Sequence, residues 1–162
     1  DYGCGSSKMG VNRNHNLEVG KGKRNPKAVI FDLGGTLADT TDPNGHHKVD
    51  HDSFRSMANE ADTREDIVEK LRKEKEKGRD VVILSARSSH YRSDTKRWLD
   101  NKNIPYDALI MRPIGDARKD KVVKESLLKE EVLPNFKVKK AYDDKKKNVK
   151  MFKNEGIDAK RV

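Results

Sequence analysis

Residues 28–31 and 81–84 are continuous apolar runs of mainly β-branched and aromatic side chains, and residues 106–111 and 138–142 give two more stretches of strand length. Continuous runs, unlike alternating ones, mark strands buried on both faces. Between them the apolar spacing becomes helical. Ile67, Val68 and Leu71 follow the helix start at Asp62-Thr63-Arg64-Glu65 and stop at Gly78, while Thr95, Trp98 and Leu99 share a face over 91–103 until Ile104-Pro105 breaks it. Val122, Val123, Leu127, Leu128 and Val132 form a third helical pattern after Asp120, and Val149, Met151 and Phe152 a fourth that ends at Gly156. A helical turn over 54–60 and an edge strand over 157–162 complete the pattern. Strands alternating with helices at this rhythm predict an α/β fold, a three-layer, doubly wound, mainly parallel sheet with helices on both faces.

Residues 1–26 are rich in Gly, Asn, Ser and Lys and read as a flexible leader or linker, which leaves 27–162 as the folded domain. Gly3-Cys4-Gly5-Ser6-Ser7-Lys8 is not a phosphate loop, because no apolar strand leads in and no helical pattern follows. Residues 39–52 carry Pro43, Gly45, His46, His47 and His51 at spacings that match no zinc motif. They predict a short flap, a minimal cap too small for a large lid.

Composition narrows the classes. A chain of 162 residues with 33% hydrophobic content supports one domain with an economical core. Lys and Arg number 36 against 27 Asp and Glu, a net charge of +9 that favours a polyanionic partner, although a solvated charged surface accounts for it as well. The single cysteine, Cys4, excludes an internal disulfide and a Cys-based zinc site. No apolar stretch has membrane-spanning length and no apolar signal core opens the chain, so the expected location is cytoplasmic.

Chemically active groups stand just past the strands. Asp32 and the Gly34-Gly35 pair follow the first, Ser85 and Arg87 the second, and Asp143 with Asp144 the fourth; Arg118-Lys119-Asp120 opens the helix between the last two strands. Open α/β sheets bind ligands in the crevice beyond the carboxyl ends of their strands. Asp32 there is a nucleophile or metal ligand, with the backbone amides of Gly34, Gly35 and Thr36 facing a phosphate. Carboxylates from two strands suit Mg²⁺, while a hydroxyl and a lysine suit phosphoryl oxygens. Taken singly, residues 118–124 also read as a solvated basic face, and Asp143-Asp144 as a helix N-terminus favoured by its dipole.

In this order the groups resemble the haloacid-dehalogenase (HAD) phosphatase superfamily, whose signature is an Asp-x-Asp-Gly-Thr loop, a Ser or Thr, a Lys and a late acidic pair. The corresponding positions are Asp32-Leu33-Gly34-Gly35-Thr36, Ser85, Lys119 and Asp143-Asp144. Residues 81–87, Arg97-Trp98-Leu99, residues 115–125 and 141–144 are similar to the 3′-phosphatase domain of phage polynucleotide kinase/phosphatase. The resemblance implies a HAD-like Rossmannoid fold and a Mg²⁺-dependent phosphomonoesterase that acts through an aspartyl-phosphate on 3′-phosphorylated nucleic-acid ends. It makes Asp32 the nucleophile and a metal ligand, together with Asp143, Asp144 and the Gly34 carbonyl. Gly35, Thr36, Ser85, Ala86 and Arg87 would contact the phosphate, with Asp116 and Arg118 close to the substrate. Lys119 would neutralise the phosphoryl oxygens and restrain Asp32, or Lys121 if the register shifts by a turn. Kinase activity is not expected of this chain, but a kinase domain could precede it in a longer protein.

The chain departs from the pattern it resembles at Gly34, where the superfamily carries its acid/base Asp. General acid/base catalysis contributes ~10²–10⁴-fold, so the expectation is an impaired phosphatase. Two alternatives stay open: a catalytically weak or inactive module that binds phosphorylated nucleic-acid ends, and a phosphatase of small nucleotides.

Overall fold

The computed structural model describes residues 25–40 and 62–162. The expected helical turn over 54–60, the histidine-bearing flap and nearly all of the leader lie outside the described residues. The elements in order are β1 (Lys27–Phe31), α1 (Glu65–Glu76), β2 (Asp80–Ser88), α2 (Arg92–Asn101), β3 (Ala108–Arg112), α3 (Asp120–Leu127), β4 (Lys137–Asp143), α4 (Lys146–Asn154) and β5 (Asp158–Arg161). All five strands are parallel, in the order β3-β2-β1-β4-β5. This is the doubly wound, three-layer α/β fold that the pattern predicts.

The apolar run of β1 serves two cores at once. Val29 and Phe31 pack with Ile67, Val68 and Leu71 of α1 and with Trp98 and Leu99 of α2. Ala28 and Ile30 face the other way, onto Val123 and Leu127 of α3 and Met151 and Phe152 of α4. Successive strand side chains point to opposite faces, so a central strand covered on both sides must be apolar throughout. Gly78 ends α1 with φ +85°, a left-handed turn that glycine adopts without cost.

Boundaries differ from the expected ones where tertiary contacts decide them. β2 continues beyond Leu84 to Ser88 and a single 3₁₀ turn, Ser89–Tyr91, leads into α2. α3 widens into a π-helical turn over Leu128–Val132 instead of continuing as regular helix. Before β3, the Asp107 carboxylate accepts the Val81 N–H at 2.7 Å and the Lys75 ammonium at 2.9 Å, which ties the approach of β3 to the start of β2 and to α1.

The strand order fixes the functional geometry. β1 lies between β2 and β4, so residues just past the carboxyl ends of these three strands become neighbours. Phe152, 1% exposed, lies in the core on the α3/α4 side. Phe152→Ala is expected to lower the unfolding free energy by about 3–5 kcal/mol through lost transfer energy and the cavity left behind. In urea the midpoint falls while the m-value stays unchanged.

Candidate active site

Asp32 continues the β1 ladder by one bond, its N–H donating to the Tyr142 carbonyl at 3.0 Å, which places its side chain beside the end of β4. The Lys124 ammonium donates to Asp32 Oδ1 at 2.7 Å and to Asp143 Oδ2 at 2.6 Å, with all three side chains buried. Thr36, fully buried, donates its hydroxyl to Asp32 Oδ2 at 3.2 Å. Asp143 also accepts the Lys145 N–H at 2.9 Å and the Asn148 amide at 3.2 and 3.3 Å. Ser85, 4% exposed at the end of the buried stretch of β2, accepts the Arg87 N–H on its hydroxyl oxygen at 3.1 Å.

The loop after Asp32 closes on itself. The Gly35 N–H donates to the Ala38 carbonyl at 2.8 Å, and the N–H groups of Thr36, Leu37 and Ala38 donate to the Leu33 carbonyl at 3.3, 3.0 and 2.9 Å. The expected phosphate contacts by the Gly35 and Thr36 amides are therefore corrected, since both donors are committed within this turn. Gly35 has φ +83°, and a Cβ there would lie 2.2 Å from Asp144 Oδ2, so only glycine lets the loop approach that carboxylate. Gly34 falls outside the left-handed region that Gly35 occupies.

The lysine is a second correction. Lys119 is the exposed residue just before α3 and Lys121 is exposed on its first turn, whereas Lys124 reaches Asp32. Lys124 projects from the same buried face as Val123 and Leu127, and only that face looks toward the sheet. A lysine within the apolar stripe of an amphipathic helix was the sequence signal for it. Asn148 is its counterpart, buried beside Val149, Met151 and Phe152 in α4.

Comparison with known proteins identifies the architecture. The family model of the polynucleotide kinase PNKP phosphatase domain, a HAD-type domain, matches residues 26–162. The chain belongs to this family. It is also similar, at 32% identity and a TM-score of 0.75, to a chain of the Pnkp1/Rnl/Hen1 complex, covering 90% of this sequence and 48% of that chain. A second structure of that assembly, described as an RNA repair complex, matches at the same identity and TM-score over 45% of its chain. The chain thus spans about half the length of these relatives. The fold alone is shared with a class C acid phosphatase from Bacillus anthracis, at 18% identity, TM-score 0.59, and 79% and 55% coverage of the two chains. CbbY from Rhodobacter sphaeroides shares it likewise at 16% identity, TM-score 0.55, and 83% and 84% coverage.

In this PNKP-type phosphatase domain, Asp32, Asp143 and Asp144 each offer a carboxylate oxygen, all within 4.8 Å of one another. Burial, then the Asp143 and Asp144 carboxylates, push Asp32 up to about 8 against the pull of Lys124. Burial alone would lower the Lys124 ammonium, but Asp32 and Asp143 outweigh it and hold it above its ordinary value. One ammonium among three carboxylates leaves the pocket negative. Asp144, a member of this cluster, has its Oδ1 buried with no hydrogen-bond partner, an acceptor left unsatisfied. An all-oxygen, net-negative donor set with a free acceptor fits a hard divalent cation.

The remaining predicted residues form a second group. Arg87 lies over the Tyr91 ring at 5.5 Å, and burial lowers its guanidinium to about 9, so it stays charged at neutral pH. Asp116 is held down to about 2 by the Arg118 side chain, which pairs with it at 2.7 Å. Among the described residues, no hydrogen bond or ion pair joins that pair to the Asp32 cluster. Arg112, which the sequence reading missed, binds the Ala86 carbonyl at 2.6 Å, the Asp116 carbonyl at 2.9 Å and Asp120 at 2.8 Å. It thereby ties the Ser85–Arg87 segment to the loop that leads into α3.

Breaking a buried charge pair by removing one partner costs about 3–5 kcal/mol. Lys124→Met is expected to destabilise the metal-free protein by roughly that amount, whereas Lys119→Ala and Lys121→Ala stay within ~0.5 kcal/mol of the unaltered chain, as exposed substitutions do. Urea unfolding measures all three.

Proposed function

We propose that this chain is a Mg²⁺-dependent phosphomonoesterase domain that removes phosphate from the 3′ ends of polynucleotides through an aspartyl-phosphate on Asp32. The observation that carries this reading is the buried Asp32 carboxylate, held by Lys124 and Thr36 beside Asp143 and Asp144 at the mouth of a parallel sheet. Asp32, Asp143, Asp144 and the Gly34 carbonyl would hold Mg²⁺, which would supply charge neutralisation at the phosphoryl oxygens.

Asp32 attacks phosphorus as the bond to the 3′-oxygen breaks and that oxygen takes a proton from solvent; water then attacks phosphorus, gives a proton to solvent and breaks the bond to Asp32, which releases inorganic phosphate and restores the carboxylate. Lys124 favours the ionised form of Asp32 against its burial, orients it and neutralises phosphoryl charge, the role first expected of Lys119. Because the Ser85 hydroxyl oxygen accepts the Arg87 N–H, its own O–H is left to donate to a phosphoryl oxygen. Arg87 and the Leu33 and Gly34 amides supply further donors. In phosphoryl transfer such positioning and charge neutralisation do most of the work.

Gly34 sets the rate. No side chain at this position can protonate the leaving 3′-oxygen or take a proton from the attacking water, so turnover proceeds slowly. The same glycine supports a second reading, a module that binds phosphorylated ends without turnover. The net charge of +9 suits both readings, because phosphate contacts release counterions from a polynucleotide. Similarity to about half of a chain in the Pnkp1/Rnl/Hen1 complex supports a place for this domain within a longer end-repair protein.

A steady-state assay on a 3′-phosphorylated oligonucleotide tests the proposal. Asp32→Asn is expected to abolish phosphate release, as is chelation of Mg²⁺. Gly34→Asp should raise kcat by ~10²–10⁴-fold, the usual contribution of an acid/base group. Oligonucleotide binding with steep salt dependence, and no turnover even in Gly34→Asp, favours the binding module. A free mononucleotide processed as fast as the oligomer points to a nucleotide phosphatase.

A further inference from the structure

Arg64 breaks the local rules of its position. It is the residue just before α1, with extended φ −84° and ψ 96° and no capping bond from its side chain. Helix starts favour Ser, Thr, Asp or Asn there, whose oxygens accept the first free N–H groups. A guanidinium offers only donors, and its charge opposes the positive end of the helix dipole. A residue that violates local preference points to a demand from elsewhere in the fold.

That demand is visible in its contacts. Arg64 Nη1 donates to the Gly35 carbonyl at 3.0 Å and to the Val162 carbonyl at 3.1 Å, while Nη2 reaches the largely exposed Asp66 at 3.2 Å. The Arg64 backbone N–H also donates to the Leu37 carbonyl at 2.8 Å, so both side chain and backbone hold the loop after Asp32. Gly35 is consequently fixed on three sides. Its N–H is bound by the Ala38 carbonyl, its Cα lies against Asp144, and its carbonyl is bound by Arg64. The neighbouring residues are Gly34 and Thr36, and the Thr36 hydroxyl holds Asp32.

We propose that Arg64 is a positioning residue for the phosphate-binding loop, its guanidinium fixing the Gly35–Thr36 peptide so that the Gly34 carbonyl, Asp144 and Thr36 stay aligned around Asp32. Its effect on metal binding and turnover rests on the phosphatase reading; the clamp itself rests on the contacts alone. Since Nη1 makes both carbonyl bonds, a lysine ammonium with three N–H groups can replace it, and an alanine cannot. The backbone bond to Leu37 survives either substitution, so the side chain can be tested by itself.

The test compares the full chain with Arg64→Ala and Arg64→Lys. Without metal, amide hydrogen exchange of Gly35, Leu37 and Ala38 should quicken at least ~10-fold in Arg64→Ala while β4 amides keep their rates, the mark of local rather than global opening. The Mg²⁺ concentration giving half-maximal thermal stabilisation should rise at least ~5-fold in Arg64→Ala and return to within ~2-fold in Arg64→Lys. Unchanged loop exchange, or equal acceleration of loop and β4 amides, overturns the clamp. If Mg²⁺ leaves even the unaltered chain unstabilised, the phosphatase reading falls and the exchange data still decide the role of Arg64.

Discussion

Three carboxylates brought within 4.8 Å repel one another, and a single ammonium holds two of them together. Lys124 bridges Asp32 on β1 and Asp143 on β4, so it joins the two strand ends on which the site depends. Desolvation makes an isolated buried charge unaffordable, and mutual attraction at low dielectric offsets that cost only when the geometry is close. Distances of 2.6 and 2.7 Å, with Asn148 and Thr36 saturating further lone pairs, meet that condition. The remaining negative charge is what a divalent cation would balance.

The two glycines of the loop answer to different constraints. Gly35 is steric: its positive φ and the Asp144 oxygen beside its Cα admit no side chain. Gly34 lies outside the left-handed region, so its backbone does not require glycine, and what the position lacks is a carboxyl group. The Asp32 cluster thus combines a close-packed loop and a negative charge with a position, Gly34, that carries no side chain. Around this centre, Arg64 grips the loop from α1 and Arg112 ties the Ser85–Arg87 segment to the approach of α3. Both arginines act through backbone carbonyls, which leaves no pattern in sequence spacing.

The order of strands and helices, the two-faced burial of β1 and the gathering of Asp32, Ser85 and Asp143 toward the carboxyl ends of β1, β2 and β4 were legible in the sequence, although β2 itself runs on to Ser88, because apolar periodicity and the sterics of α/β units dictate them. No local rule distinguishes one lysine of a basic segment from another unless its phase on the helix is weighed. Lys119 matched the motif by proximity, whereas Lys124 shares the phase of Val123 and Leu127 and so faces the sheet. Likewise, the Gly35 and Thr36 amides looked available for phosphate until the turn closed them onto Ala38 and Leu33.

By itself, then, the sequence determined the fold class and the chemical character of the strand ends, since both follow from side-chain periodicity and from residue types next to turns. Only the tertiary structure decided which ammonium meets which carboxylate, which amides the loop consumes, and that an arginine at a helix start serves a loop 29 residues away. Those outcomes depend on long-range packing across the sheet, where distances of a few tenths of an ångström separate a bond from a gap and no local preference carries the information.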